Sequence, residues 1–172
     1  MLRIRPLAIA AFCSALAAHA SADTAAITMY SVDASGTSQA LGEIHLEQNQ
    51  YGIVFKPDLA GLTPGVHGFH LHANGSCDAG EDGTPAGAAG GHYDPRAMDK
   101  HEGPWGDGHL GDLPALYVSA SGEVHSPVLA PRLELNDLDG KALMIHSGGD
   151  NYSDTPEKLG GGGKRVACGV ID

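Results

Sequence analysis

Positive charge is scarce in this chain, and that scarcity closes off whole classes of partner. Ten lysines and arginines stand against 21 acidic residues, a formal net charge of −11. Such a balance repels nucleic acid and anionic membrane surfaces. Any anionic substrate would need a local positive field set against the overall repulsion. Long apolar runs are lacking too. The run from Leu7 to Ala18 is too short to span a bilayer, and no other stretch offers a transmembrane helix. No segment carries a convincing helical period, and no internal repeat is visible. Cysteine is limited to Cys13, Cys77 and Cys168.

The Leu7–Ala18 run has a different use. Arg3 and Arg5 precede it, and Ala18-His19-Ala20 or Ala20-Ser21-Ala22 follows as a small-x-small cleavage site. Residues 1–22 therefore read as a secretory signal peptide and 23–172 as one mature domain, with the periplasm as its expected location. Cys13 lies inside the run behind Phe12 and is a poor lipid acceptor. Cleavage leaves Cys77 and Cys168, and in an exported protein such a pair is expected to form a disulfide. Closing a loop of that length contributes at most about 4 to 5 kcal/mol on the chain-entropy account.

The chain is rich in glycine (25) and histidine (10). Short β-branched or aromatic runs at Ala25–Tyr30, Gly42–Glu47, Gly52–Lys56 and Val66–His72 are separated by turn signals such as Ala34-Ser35-Gly36 and Thr63-Pro64-Gly65. Strand signals return at Ala115–Ser119, Glu123–Leu129, Ala142–His146 and Arg165–Ile171. About eight strands with two long loops, Ala73–Asp112 and Ser147–Lys164, predict an all-β antiparallel sandwich or barrel. Loops of that length in a compact domain are functional or disordered. The first holds a cysteine, three histidines and many glycines, which predicts a loop pinned by a metal and a disulfide; the second is glycine-rich. Trp105 is expected either to plug its loop or to lie exposed at a subunit contact.

In Gly68-Phe69-His70-Leu71-His72, strand alternation puts the two imidazoles on one face and Phe69 and Leu71 on the other. Such a pair is a ready chelate for copper or zinc. His67 falls on the opposite side and reads as a buried histidine bonded to backbone, whereas His45 and His125 alternate with polar residues and read as exposed. His92, His101, His109 and Asp112 offer three imidazoles and a carboxylate, a set suited to tetrahedral zinc. Their glycine-rich settings let the backbone aim several side chains at one point. His146 ends an apolar strand, where a histidine is more often structural.

Four motifs, in order, resemble those of copper–zinc superoxide dismutases: Gly68–His72, Gly91-His92-Tyr93-Asp94-Pro95, His109-Leu110-Gly111-Asp112-Leu113 and Arg165–Ile171. The run Gly148–Asp154 is similar to the bacterial exported branch. The resemblance covers essentially the whole mature chain and implies an eight-stranded Greek-key barrel. It implies copper on His70, His72, His92 and His146, zinc on His92, His101, His109 and Asp112, and His92 bridging the two. It also implies the Cys77–Cys168 disulfide, and Asp150 as the carboxylate linking His70 to His101. The implied activity is dismutation of superoxide by alternating reduction and reoxidation of copper, with His92 carrying a proton. Arg165 is the implied anion-binding residue, and Lys164, Lys100 and Lys158 are candidate helpers in steering superoxide. Relatives of this branch include monomers and dimers, so a homodimer stays open. Two other readings stand beside it: a copper carrier or metal buffer without turnover, and a zinc hydrolase. The hydrolase would need an open position on zinc, which four protein ligands would close.

Overall fold

The computed structural model describes residues 26–172. The expected signal peptide at residues 1–22, with Cys13, lies outside the described residues. Nine strands form in chain order: β1 Ala26–Asp33, β2 Gly36–Asn49, β3 Gly52–Leu59, β4 Gly65–His67, β5 Phe69–His72, β6 Leu116–Val118, β7 Val128–Ala130, β8 Lys141–His146 and β9 Arg165–Ile171. Among the described residues, helix is confined to 3-10 turns at Gly87–Ala89, Leu135–Asp137 and Lys158–Gly161. Seven strands pair in the order β5-β8-β9-β1-β2-β3-β7, and β4 pairs with β6 apart from them. All pairings are antiparallel, and the curled sheet is a Greek-key barrel or sandwich.

Sequence alternation builds the wall. Ile44 and Leu46 of β2 and Ile53, Phe55 and Leu59 of β3 point inward, while Glu43, His45 and Lys56 point to solvent. Phe55 meets Phe69 edge to face, with ring centroids 5.4 Å apart, at the centre of the core. Pro57 is tolerated inside β3 because β7 pairs only with Ile53, Val54 and Phe55, leaving the outer edge free at the proline.

Two departures from the sequence reading have clear causes. The Val66–His72 run is cut at Gly68, whose N–H donates to Gly148 and whose carbonyl accepts from His146 N–H. The chain thereby leaves the β4–β6 ribbon and enters the main sheet beside β8. The expected Glu123–Leu129 strand shrinks to β7 plus a single bridge between Leu59 and Val124. Pro127, which has no N–H to offer, stands between them.

β8 explains why Ala142–Ile145 is apolar without alternation. Leu143 and Ile145 join the main core, while Ala142 and Met144 pack outward against Cys77, Ala86, Ala89 and Cys168. With both faces covered, alternation has no role. The expected disulfide joins Cys77 to Cys168, with Cα atoms 5.7 Å apart, and fastens the first long loop to β9.

Candidate metal centre

Backbone pairing brings the histidines together. His70 and His72 lie on β5, and their strand pairs with β8, which ends at His146. The other edge of β5 takes up loop segments as a further strand would. Bridges join His70 to Asp112 and His72 to His92, Leu71 N–H donates to Gly111 O at 2.9 Å, and Tyr93 N–H donates to Leu71 O at 2.8 Å. Glycine is required at 111, since a Cβ there would lie 2.2 Å from Leu71 O. His146 faces Arg165 across β8–β9 where the register shifts.

Two clusters of potential ligand atoms result, His70, His72, His92 and His146 in one and His92, His101, His109 and Asp112 in the other, with His92 common to both. All seven residues are buried. In the first cluster, His72 Nδ1 donates to Gly90 O at 2.9 Å and His146 Nδ1 to Gly163 O at 3.3 Å, while His70 Nε2 bonds Asp150 Oδ2 at 2.8 Å. Each ring's other nitrogen, His70 Nδ1, His72 Nε2 and His146 Nε2, is buried without a hydrogen-bond partner. A buried polar atom left unpaired costs about 1–3 kcal/mol, so three in one place are poor packing unless a cation takes their lone pairs. The donor set suits copper.

In the second cluster, Asp112 Oδ1 lies 2.9 Å from His92 Nδ1, 3.0 Å from His101 Nδ1 and 3.2 Å from His109 Nδ1. The His101 nitrogen is near this oxygen yet out of line for a hydrogen bond. Three imidazole nitrogens around one carboxylate oxygen fit a tetrahedral zinc site. With His92 Nδ1 on this side, only Nε2 remains for the first cluster.

Asp150 ties the clusters together. Its Oδ2 meets His70 Nε2 and its Oδ1 meets His101 Nε2, both at 2.8 Å. Gly160, at φ 74°, packs on it so closely that a Cβ would sit 2.1 Å from Oδ1. Tyr152 N–H also donates to Oδ1. Such outer partners fix ring orientation and tautomer.

The electrostatics divide the site. Burial, then the neighbouring positive charge, lowers His70, His72 and His92 and brings His146 to about 4, so these rings are neutral at neutral pH. Burial would also lower His101, but Asp112 and Asp150 outweigh it and raise that ring to about 9. Hydrogen bonding to Asp112 raises His109. Burial opposes ionisation of Asp112 and Asp150, yet their histidine bonds hold both well below the usual carboxylate range.

A cavity of about 210 Å³ opens on the first cluster, lined by His72, His92 and His146 with Arg165, Lys158 and Leu159. At about 30 Å³ per water, it admits a small anion with a few waters. Arg165 donates to Ala86 O and Gly90 O, both at 2.5 Å, which leaves three of its five N–H groups free. Lys158 lines this cavity; Lys164, the nearest lysine in sequence to Arg165, does not.

The remaining expectations fall as follows. His67 is buried between His146 O and Thr63 O, at 2.6 and 2.8 Å, while His45 and His125 are exposed beside Glu43 and Asp58. Trp105 is 68% exposed, with its ring 5.6 Å from that of Tyr152. Two residues had no signal in the sequence. Asp154 accepts the backbone N–H of His101, and Arg132 reaches the loop between His101 and His109 from the far side of the chain.

The profile of the family described as copper/zinc superoxide dismutase matches residues 40–171. A superoxide dismutase [Cu-Zn] of Photobacterium leiognathi is 63% identical over 139 residues, covering 78% of this chain and 80% of its own. The solved Cu/Zn superoxide dismutase from Brucella abortus superposes with a TM-score of 0.85 at 49% identity, over 87% of this chain and all of its own. The solution structure of the monomeric copper, zinc superoxide dismutase from Salmonella enterica gives 0.78 at 53%, over 87% and 99%. Fold, paired histidine clusters and sequence agree, and the chain belongs to the copper/zinc superoxide dismutase family.

Proposed function

We propose that His70, His72, His92 and His146 hold copper, that His92, His101, His109 and Asp112 hold zinc, and that superoxide is dismuted at the copper half of this joint centre. The observation that carries the reading is the set of three unpartnered imidazole nitrogens beside a cavity that also holds a guanidinium. A bound copper ion supplies one-electron exchange, by which two superoxide ions and two protons become one dioxygen and one hydrogen peroxide.

The residues supply the rest. Arg165, held by two carbonyls, keeps its spare N–H groups at the cavity wall, where they hydrogen-bond a small anion. Lys158 adds positive charge at the mouth, the local field that a chain of net charge −11 requires. His92 Nδ1 is committed to the Asp112 side, so Nε2 is the atom able to take up and hand over a proton at the cavity. Asp150 keeps His70 and His101 aimed at their metals. The zinc set is complete with four protein ligands, which suits a supporting metal better than a hydrolytic one.

The test is superoxide decay followed by pulse radiolysis at fixed zinc and increasing copper. The expected rate rises in proportion to copper. A flat response with copper bound would sink the dismutase assignment and favour a copper carrier.

Export to the periplasm through residues 1–22 belongs to the same reading, supported by the leader pattern and by a disulfide of the kind that oxidising compartments maintain. Amino-terminal sequencing of the mature protein checks it. A homodimer is favoured by an apolar strip. Val66 and Tyr117 are cross-strand partners on β4 and β6, Tyr152 Oη bonds Ala115 N–H beside β6, and Trp105 packs on Tyr152. Val66, Tyr117 and Trp105 are each more than half exposed. Sedimentation of Trp105→Glu against the parent protein tests this surface. A parent protein that sediments as a monomer removes the dimer.

A further inference from the structure

The loop from Gly103 to His109 runs between two of the zinc-side histidines and contains no strand or helix. Its own backbone gives Gly103 O and His109 O only long bonds of 3.4 Å, from the N–H groups of Gly106 and Asp112, and one side chain supplies the shorter ones. Arg132, two residues beyond β7, donates from Nε to Pro104 O at 2.9 Å and from Nη1 to Gly108 O at 3.1 Å. Its Nη2 donates to Gly103 O at 3.1 Å and to His109 O at 2.6 Å. Four of its five N–H groups are thus spent on backbone oxygens of one loop. Among the described residues its hydrogen bonds all go to backbone carbonyls, while the carboxylates of Asp112, Asp107 and Glu102 act on its charge through space. One of those carbonyls belongs to His109 itself.

We infer that Arg132 is a positioning residue for the zinc half of the centre: its planar fork holds both ends of the Gly103–His109 loop and thereby sets where His109 and Asp112 stand. The inference rests on the zinc assignment above. A planar fork with fixed donor angles can satisfy four carbonyls at once, whereas the compact ammonium of lysine cannot span them. The clamped carbonyls bracket Trp105, the chain's single tryptophan, so the order of the loop can be read optically.

The test uses the mature protein with cobalt(II) in place of zinc. The parent protein should show the visible bands of tetrahedral cobalt, and His109→Ala should lose them. A parent protein without those bands would overturn the zinc assignment and this inference with it. Given those bands, Arg132→Met and Arg132→Lys should both release cobalt to a chelator at least tenfold faster and alter the bands. Trp105 emission should shift in the metal-free state, and the copper absorption should be retained. Leu133→Ala, a truncation in the adjoining core, controls for general destabilisation. Cobalt release and bands like the parent's in Arg132→Met would overturn the inference. So would full rescue by Arg132→Lys, or equally fast release from Leu133→Ala at matched thermal stability.

Discussion

His146 and Arg165 face each other across β8 and β9 at the point where the pairing of the two strands slips. One strand pair therefore delivers a proposed copper ligand and the proposed anion-binding group together. Replacing Arg165 by alanine leaves His146 and the copper site intact. It should lower the rate of superoxide decay by about tenfold or more and flatten its dependence on ionic strength. Stopped-flow or pulse-radiolysis rates across a salt series, with copper content measured in parallel, check this. An unchanged salt slope would remove Arg165 from the steering role.

Lys158 and Lys164 separate two ways of placing charge near the copper cavity. Only Lys158 lines it. Lys158→Ala should lower the rate severalfold at low salt and converge with the parent protein at high salt, where screening lengths fall to about 3 Å at 1 M. Lys164→Ala should change less. Rates for both variants at 10 mM and 1 M salt decide between them.

Asp150→Asn turns one of the two acceptor oxygens, one of which bonds His70 and the other His101, into a donor while nearly keeping the volume. Both metals should bind about 10- to 100-fold more weakly, the usual cost of losing such an outer partner. Chelator competition for each metal measures it. A loss confined to one metal would show that Asp150 does not couple the two halves.

The metal-free protein should be most stable near neutral pH. His70, His72, His92 and His146 have folded pKa values below the ordinary histidine value of about 6.5, so their stabilisation is present above that value and lost as pH falls from it through the lower folded values, about 4 for His146. His101 and His109 are raised. Their contribution is complete below about 6.5, and that of His101 is lost as pH climbs through about 9. Bound metals remove these titrations and should flatten the curve. Thermal unfolding of metal-free and metal-loaded protein from pH 5 to 9.5 tests both halves of this expectation.

Much of the centre was legible in the sequence because ligand chemistry is local. His70 and His72 share one strand face by alternation alone, and the glycines around His92 and His109 announce unusual backbone. The strands were legible where one face is wet, as at Ile44-His45-Leu46, and least so where neighbours decide the pattern. The break at Gly68 depends on hydrogen bonds to Gly148 and His146, nearly 80 residues away in the chain. Arg132 was invisible for the same reason, since nothing near it in sequence says that its partners are carbonyls some 25 residues earlier. Lys164 stood closer to Arg165 along the chain than Lys158, but the turn at Lys158–Gly161 brings the latter to the cavity.

β5 is the last strand at its end of the main sheet, and the loop segments through Tyr93 and Gly111 occupy its free edge. An open edge is a template on which another chain can add a strand. The ligands that would gather the metals are thus carried by the segments that cap this edge. Anything that loosens them uncovers a row of unpaired backbone groups, so holding metal and remaining free of edge-to-edge association are one task for this stretch of chain.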